Sequence, residues 1–158
     1  MRRPWNIVNS PVYSLATYAK GRLNMNICTY VTAISMQPKQ YAVAVYYDTQ
    51  TLVNLEVQPT CVLQLLHQDQ MSLVRKLGKQ SGLKIDKQAW LEKHLHLDYW
   101  KDYAVLANAC AYLKLELIDR VNTGGDHELF YFTTTQYQTL SEQNILMFQD
   151  LIDAKIIL

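Results

Sequence analysis

The chain has 158 residues, of which 49% are apolar and 18% charged, and its formal net charge is +1. A chain of this length and composition can bury a core as one domain, residues 1–158, which excludes wholesale disorder. The near-neutral charge, without a long run of Lys or Arg, speaks against a nucleic-acid partner and against a membrane surface.

The first 66 residues have the pattern of a β-domain. Runs of β-branched and aromatic residues predict four strands: Val12 to Ala19, Asn26 to Ser35, Tyr41 to Tyr47 and Cys61 to His67. Turns are predicted around Gly21 and at Pro38. Before the fourth strand, "DTQTLVNLEVQP" predicts a short helix with Thr51 as its N-cap.

The middle of the chain is predicted to be helical and irregular. "MSLVRKLGK" has apolar residues at helical spacing, and Gly78 is the predicted end of that helix. Residues 79–102 are polar and Lys-rich but carry Trp90 and Trp100, which predicts an ordered excursion and not a linker.

The last third begins with two strands. Residues 109–120 alternate as a half-exposed strand, and "HELFYFTTT" is its predicted antiparallel partner, with Gly124 and Gly125 between them. The segment "TLSEQNILMFQDLIDA" is predicted to be a helix, because Thr139 stands three residues before Glu142 in a capping-box spacing.

Several short strands interrupted by two or three helices predict a mainly β (α+β) fold, a closed or nearly closed barrel with helical insertions. The strands do not alternate regularly with long helices, and the chain lacks both G-x-G-x-x-G and G-x-x-x-x-G-K-[ST]. A doubly wound nucleotide-binding fold is therefore disfavoured.

The cysteines are Cys28, Cys61 and Cys110, an odd number at wide spacing, which speaks against disulfides and for a reducing compartment. The amino terminus lacks the apolar stretch of a signal peptide, and no run of 18 apolar residues occurs, so we expect a cytoplasmic protein. His94 and His96 have no second ligand cluster, so we expect surface or packing roles and no metal site.

Three short stretches together identify a family. The first is Asn26-x-x-Thr29, followed by Thr32; the second is "TQTLVNL"; the third, about a hundred residues after the first, is the Gly-Asp-His turn that ends at His127. In this order, in a barrel-like chain, they resemble the flavin reductase family of FMN-binding split barrels.

The resemblance implies a split β-barrel of Greek-key type with flanking helices that binds FMN, FAD being possible. It implies a flavin site made of these residues: Asn26, Ile27, Cys28, Thr29, Thr32, Thr49, Thr51, Leu52 and Asp126, with His127 as the catalytic residue.

The implied roles agree with the chemistry of these residue types. A strand at Asn26 to Thr29 can meet the flavin ring edge with backbone groups, while Cys28 is expected to be a small buried hydrophobe. The helix N-terminus after Thr51 offers free N–H groups to a phosphate, and Thr49 adds a hydroxyl.

The predicted phosphate turn itself contains no cation. The family frequently has a basic residue in this turn, so Lys20 or Arg22 is expected to supply one from elsewhere.

In the later turn, Gly125 is expected to allow either φ > 0 or a close approach of the backbone, and Asp126 to bond its own turn. His127 can donate a hydrogen bond to a flavin or nicotinamide oxygen, and it titrates near neutral pH.

The resemblance further implies a homodimer with flavin at the interface, in which a hydride passes from NADH or NADPH to flavin N5. Reduced flavin would then serve a partner oxygenase or a small electron acceptor. Two alternatives stay open: a flavin-binding electron-transfer or carrier protein without nicotinamide turnover, and a split barrel that has lost flavin and serves as an interaction domain.

Overall fold

The computed structural model describes residues 1–157, which form nine strands and four short helices. The strands are β1 (Tyr13–Ala19), β2 (Arg22–Met25), β3 (Val31–Ser35), β4 (Gln40–Tyr46), β5 (Thr60–Leu65), β6 (Leu97–Trp100), β7 (Tyr103–Leu106), β8 (Ala111–Asn122) and β9 (His127–Thr139). The helices are α1 (Gln50–Val57), α2 (Leu73–Lys79), α3 (Lys87–Lys93) and α4 (Phe148–Asp153).

Seven strands make one antiparallel sheet in the order β2-β1-β5-β8-β9-β4-β3, and β6 pairs with β7 as a separate hairpin. The β8–β9 ladder is the longest, running from Ala111 opposite Thr139 to Asn122 opposite Glu128. Register shifts at two places in this ladder bend the sheet, as β-bulges do. The predicted mainly β fold is confirmed.

The sheet is buried on both faces where it crosses the middle of the molecule. In β1, the neighbours Leu15 and Ala16 are both fully buried but belong to different core clusters, because successive side chains of a strand point to opposite faces. One cluster contains Phe130 and Phe132; the other contains Leu77 of α2 and Leu91 of α3. The predicted excursion at residues 79–102 is therefore ordered, since it supplies α3 and β6 to this second layer.

The strand predicted from Asn26 to Ser35 is wrong as a single strand, because the chain changes its pairing partner at Thr29. On one side, the ladder of β2 with β1 continues as Cys28 bridges Tyr13. On the other side, Tyr30 accepts a hydrogen bond from the Ala44 amide at 3.0 Å and leads into the ladder of β3 with β4. The backbone near Thr29 thus links two parts of the barrel wall.

Three predicted helix boundaries are also wrong. Helix α1 begins at Gln50 and is capped by Thr49, not Thr51. Gly78 lies within α2, where a Cβ would come within 3.1 Å of the Ile27 Cβ, so the missing side chain permits a close approach. The last helix begins at Phe148, because Thr139 continues β9.

Across residues 1–157, every helix is too short or too polar to cross a membrane.

Candidate functional site

A cavity of about 400 Å³ lies at the change of partner around Thr29, within the size range of small-molecule sites. Its walls come from distant parts of the chain: residues 24 and 26–30, residues 44–46 and 48–51, residues 77–82, Lys87 and His127. The fold therefore brings together the three stretches singled out in the sequence.

Six predicted site residues before His127 line this cavity: Asn26, Ile27, Cys28, Thr29, Thr49 and Thr51. Thr32 does not, because it is exposed on β3, where its hydroxyl donates to the Ala33 carbonyl. Leu52 is buried in the core, and its amide donates to Thr49 Oγ1 at 3.3 Å. Asp126 reaches the cavity only through His127.

The backbone at Asn26 to Thr29 presents one edge to the barrel and the other to the cavity. The Asn26 and Cys28 amides donate to carbonyls of β1, at 3.4 and 2.8 Å. Because successive N–H groups of an extended chain point to opposite edges, those of Ile27 and Thr29 face away from β1. This edge can meet a flat ligand with two donors.

The start of α1 forms a polar end of the cavity. Thr49 Oγ1 donates to the Tyr46 carbonyl at 2.7 Å and accepts from the Leu52 amide, so this hydroxyl has no hydrogen left to donate to a ligand. Thr51 differs: its Oγ1 accepts from Asn24 Nδ2 at 3.1 Å, which leaves its own O–H to donate elsewhere. The first amides of α1, at Gln50 and Thr51, are among those that a helix leaves without an internal partner.

Gly82 lies against the Asn24 side chain beside this end. A Cβ at residue 82 would lie 2.2 Å from Asn24 Oδ1 and 3.0 Å from Gln50 Cβ. Only glycine permits this approach without moving Asn24, and Asn24 in turn orients the Thr51 hydroxyl.

Two lysines, Lys79 and Lys87, line the cavity and place positive charge near the turn at Thr49, which has no basic residue of its own. Lys87 is buried, and its Nζ donates to the Met25 carbonyl at 3.0 Å and the Leu77 carbonyl at 2.7 Å, so the third N–H of the ammonium is left for a ligand. Burial lowers the pKa of Lys87 to about 8. Lys79 lines the cavity from the end of α2 and is exposed.

The expected cations, Lys20 and Arg22, do not line this cavity. Lys20 lies in the β1–β2 turn, and Arg22 pairs with Asp86 at 3.5 Å.

Lys87 was missed although the sequence carries a weak signal for it. It occupies the first position of α3, behind the N-cap Asp86, where the helix dipole favours anions over cations.

His127 lies at the start of β9 between two tyrosine rings, with centroids 5.3 Å from Tyr30 and 5.4 Å from Tyr46. Its Nδ1 is 2.6 Å from Asp126 Oδ1, and this hydrogen bond lowers the pKa of the Asp126 carboxyl. With Nδ1 carrying a proton toward the carboxylate, Nε2 is left for a ligand in the cavity.

The turn that carries His127 differs from the prediction at one glycine. Gly124, with φ of 80°, takes the left-handed conformation that was expected at Gly125. The Asp126 carbonyl accepts from the Tyr47 amide at 3.2 Å, which joins this turn to the end of β4.

Cys28 packs as the small hydrophobe that was expected. Burial raises the pKa of its thiol to about 12, so the thiol is neutral at pH 7.

His94 and His96 stack on Trp90, at 4.6 and 5.3 Å between ring centroids, in keeping with a packing role. Within the described part of the chain, no three His, Cys, Asp or Glu side chains gather as metal ligands.

The sequence profile of the family described as "Flavin reductase like domain" matches residues 1–151. No curated protein sequence matches the chain.

Several solved structures share the fold. An FMN-binding protein from Thermus thermophilus with bound 1-cyclohex-2-enone is 20% identical, with a TM-score of 0.76 over 88% of this chain and 75% of that one. The styrene monooxygenase flavin reductase from Pseudomonas putida S12 is 17% identical, with a TM-score of 0.75 over 90% and 88%. The flavin reductase component of a bacterial two-component tryptophan halogenase is 13% identical, with a TM-score of 0.80 over 92% and 89%. These likenesses confirm the split-barrel fold predicted from the sequence.

Proposed function

Because the chain belongs to the flavin reductase-like domain family, we propose that it binds FMN or FAD in this cavity and reduces the flavin with a hydride from NADH or NADPH. The observation that carries the proposal is the buried Lys87 ammonium at the same end of the cavity as the unpaired donors of α1. A buried cation is costly, and a phosphate beside it would offset that cost.

The residues present fit a flavin phosphate at this end. The Gln50 and Thr51 amides, the Thr51 hydroxyl and the Lys87 ammonium are all donors, and Lys79 adds a second positive charge. A dianion at a helix N-terminus is favoured by the free N–H groups and by the helix dipole. Thr49 serves the site by capping the helix and not by donating to the phosphate.

The residues around Thr29 fit the ring of the flavin. Amides of Ile27 and Thr29 would donate to the oxygen and nitrogen atoms along its polar edge, and the neighbouring Ala44 and Val45 provide apolar contact. When bound, the flavin supplies the electron acceptor for the reaction; the protein supplies position, hydrogen bonds and exclusion of water.

His127 is the proposed catalytic residue. Asp126 keeps Nδ1 occupied, so Nε2 is left to donate a hydrogen bond or a proton to the flavin or the nicotinamide. The tyrosines on both sides of the ring restrict its rotation. Asp126 acts as a positioning residue in this scheme, not as a flavin ligand.

We propose one domain over residues 1–158 that acts as a homodimer. Strand β3 is the last strand of its sheet, and apolar side chains beside it are exposed: Tyr30 (63%), Ile34 (46%) and Met36 (89%). An uncovered apolar edge strand favours association with another chain. Because Tyr30 contacts His127, a dimer formed here would cover the cavity.

The solved structures named above include reductase components of oxygenase and halogenase systems, which supports a partner oxygenase that takes up the reduced flavin. A small electron acceptor is the alternative outlet.

The test is the visible absorption spectrum of the purified protein with FMN, recorded anaerobically before and after addition of NADH and then NADPH. A bound-flavin spectrum that is bleached by either nucleotide supports a reductase. A spectrum that stays oxidised until dithionite is added refutes nicotinamide turnover and leaves a flavin-binding electron-transfer or carrier protein. A protein that binds no flavin refutes the proposal altogether.

A further inference from the structure

Lys87 is a buried lysine whose amine is bonded to main-chain atoms. The residue is 5% exposed, and its Nζ donates to the carbonyls of Met25 and Leu77, at 3.0 and 2.7 Å. Across residues 1–157, no carboxylate forms an ion pair with this nitrogen. Burial without a charged partner disfavours the ammonium and lowers the pKa of Lys87 to about 8.

The two carbonyls also determine where the neutral amine directs its lone pair. A neutral amine has two N–H groups and one lone pair, and the carbonyls of Met25 and Leu77 engage both N–H groups. The lone pair then takes the remaining tetrahedral direction, where the ammonium has its third N–H. A desolvated lysine with a free lone pair is a nucleophile.

The amine is neutral in a useful proportion, and small molecules can reach it. At pH 8 about half of Lys87 is neutral, whereas an ordinary lysine, with a pKa of about 10.4, is less than about 1% neutral. Lys87 lines the cavity described above and also a second cavity of about 300 Å³. A small uncharged electrophile therefore has access to this buried nitrogen.

The surroundings favour an anion bonded to this nitrogen. The first amides of α1, at Gln50 and Thr51, and the Thr51 hydroxyl are donors at the same end of the cavity, and Lys79 adds a positive charge. A carboxylate attached to Nζ would meet these donors. The nitrogen would keep one N–H, which can still donate to a main-chain carbonyl.

We infer that the flavin-free protein takes up carbon dioxide at Lys87 as a carbamate, with the new carboxylate where the flavin phosphate is proposed to bind. The Nζ lone pair attacks the carbon atom and forms the N–C bond, while one C=O electron pair moves to oxygen. A proton leaves the nitrogen for the solvent, so the products are a carbamate anion and H⁺. The competition with flavin rests on the proposed function, whereas the modification itself does not.

The modification is tested by carbon-13 NMR of the flavin-free protein in labelled bicarbonate at pH 8. Wild type should show a carbamate resonance that is lost in Lys87→Met. The matched control Lys93→Met should keep it, because Lys93 is exposed on the same helix and lines neither cavity. Trapping of wild type with triethyloxonium, followed by peptide mass spectrometry, should place the carboxyl group on Lys87 and needs no variant.

The competition is tested by titrating FMN at constant pH and ionic strength, with bicarbonate exchanged for chloride. The apparent dissociation constant should rise by the reciprocal of the unmodified fraction that NMR measures. It should rise about threefold when two-thirds of the protein is modified, because only the unmodified protein binds the phosphate. Lys87→Met should show no rise.

A carbamate found only on the amino terminus or on exposed lysines would overturn the inference. An FMN affinity that is insensitive to bicarbonate while Lys87 is modified would also overturn it, since the carboxylate would then lie away from the phosphate position. A protein that binds no FMN overturns the proposed function, and the NMR and trapping results still decide whether Lys87 reacts.

Discussion

The affinity for FMN should fall as the pH rises above about 8, because Lys87 must carry its proton to bind a phosphate. Burial lowers the pKa of Lys87 from 10.5 to about 8, so the free protein loses this proton at mildly alkaline pH. The phosphate is already dianionic above pH 7, since its second pKa is about 6. Because burial places its pKa at about 8, Lys87 is the group lining this cavity whose charge is expected to change between pH 7 and 9.5.

The size of the effect follows from linkage. A bound dianion stabilises the charged ammonium and raises the pKa of Lys87 in the complex. In the free protein, the protonated fraction falls from about nine-tenths at pH 7 to about one-tenth at pH 9. The dissociation constant should therefore rise about tenfold over this interval, with one proton taken up on binding at the upper end.

The assay is a fluorescence titration of FMN at half-unit steps from pH 7 to 9.5, with calorimetry in two buffers of different ionisation enthalpy to count protons. Lys87→Met should bind FMN more weakly at pH 7 and lose the pH dependence; Lys93→Met, at an exposed position of the same helix, should keep it. A constant affinity across this range, or an unchanged slope in Lys87→Met, would refute the placement of phosphate at this ammonium.

Four other predictions concern single side chains. His127→Ala should keep FMN binding within about threefold. It should slow flavin reduction by NADH at least about tenfold in stopped-flow absorbance, because a proton donor is lost. An unchanged rate would exclude the catalytic role. Thr51→Val should weaken FMN binding about tenfold in a fluorescence titration. Thr49→Val should instead lower the free energy of unfolding by about 1 kcal/mol in urea denaturation, with little loss of FMN affinity. The opposite ranking of the two variants would contradict the assignment of the free hydroxyl to Thr51. If the proposed homodimer forms through β3, Ile34→Glu should convert it to a monomer in light scattering with little change in melting temperature, because Ile34 is 46% exposed; a monomeric wild type, or a dimer that survives the substitution, would contradict the proposed interface. In the flavin-free protein, the free energy of unfolding of wild type should rise relative to that of Lys87→Met between pH 8 and 10.5, because the unfolded chain still holds the proton that folded Lys87 has lost. Equal pH slopes for the two proteins would show that Lys87 has the same pKa in the folded and unfolded states.

Local sequence patterns were sufficient for the hairpin of β8 and β9, whose turn leads to His127. The alternation in β8 and β9 and the two glycines between them specify a hairpin without reference to the rest of the chain. The capping-box spacing of Thr139 and Glu142 failed as a signal because Thr139 is held in β9 by its pairing with Ala111. Long-range pairing outweighs a local capping preference here.

The site was harder to predict where it depends on tertiary contacts. Thr49 and Thr51 are both good N-cap residues; Thr49 caps the helix, whereas Thr51 accepts a hydrogen bond from Asn24, which is distant in sequence. Lys87 becomes part of the site because its helix packs against β2 and brings its ammonium to the Met25 carbonyl. Apart from the unusual place of a lysine at the first position of a helix, neither segment contains a pattern that predicts these contacts.

The change of partner at Thr29 makes the cavity more tolerant of substitutions than of insertions. The amides that face the cavity belong to the main chain, so the side chains at Ile27 and Thr29 can vary without removing the donors. One added residue between Met25 and Cys28 would instead turn the Ile27 amide toward β1 and the Cys28 amide toward the cavity. A substitution at Ile27 should therefore disturb the two main-chain donors less than a change in the length of this segment.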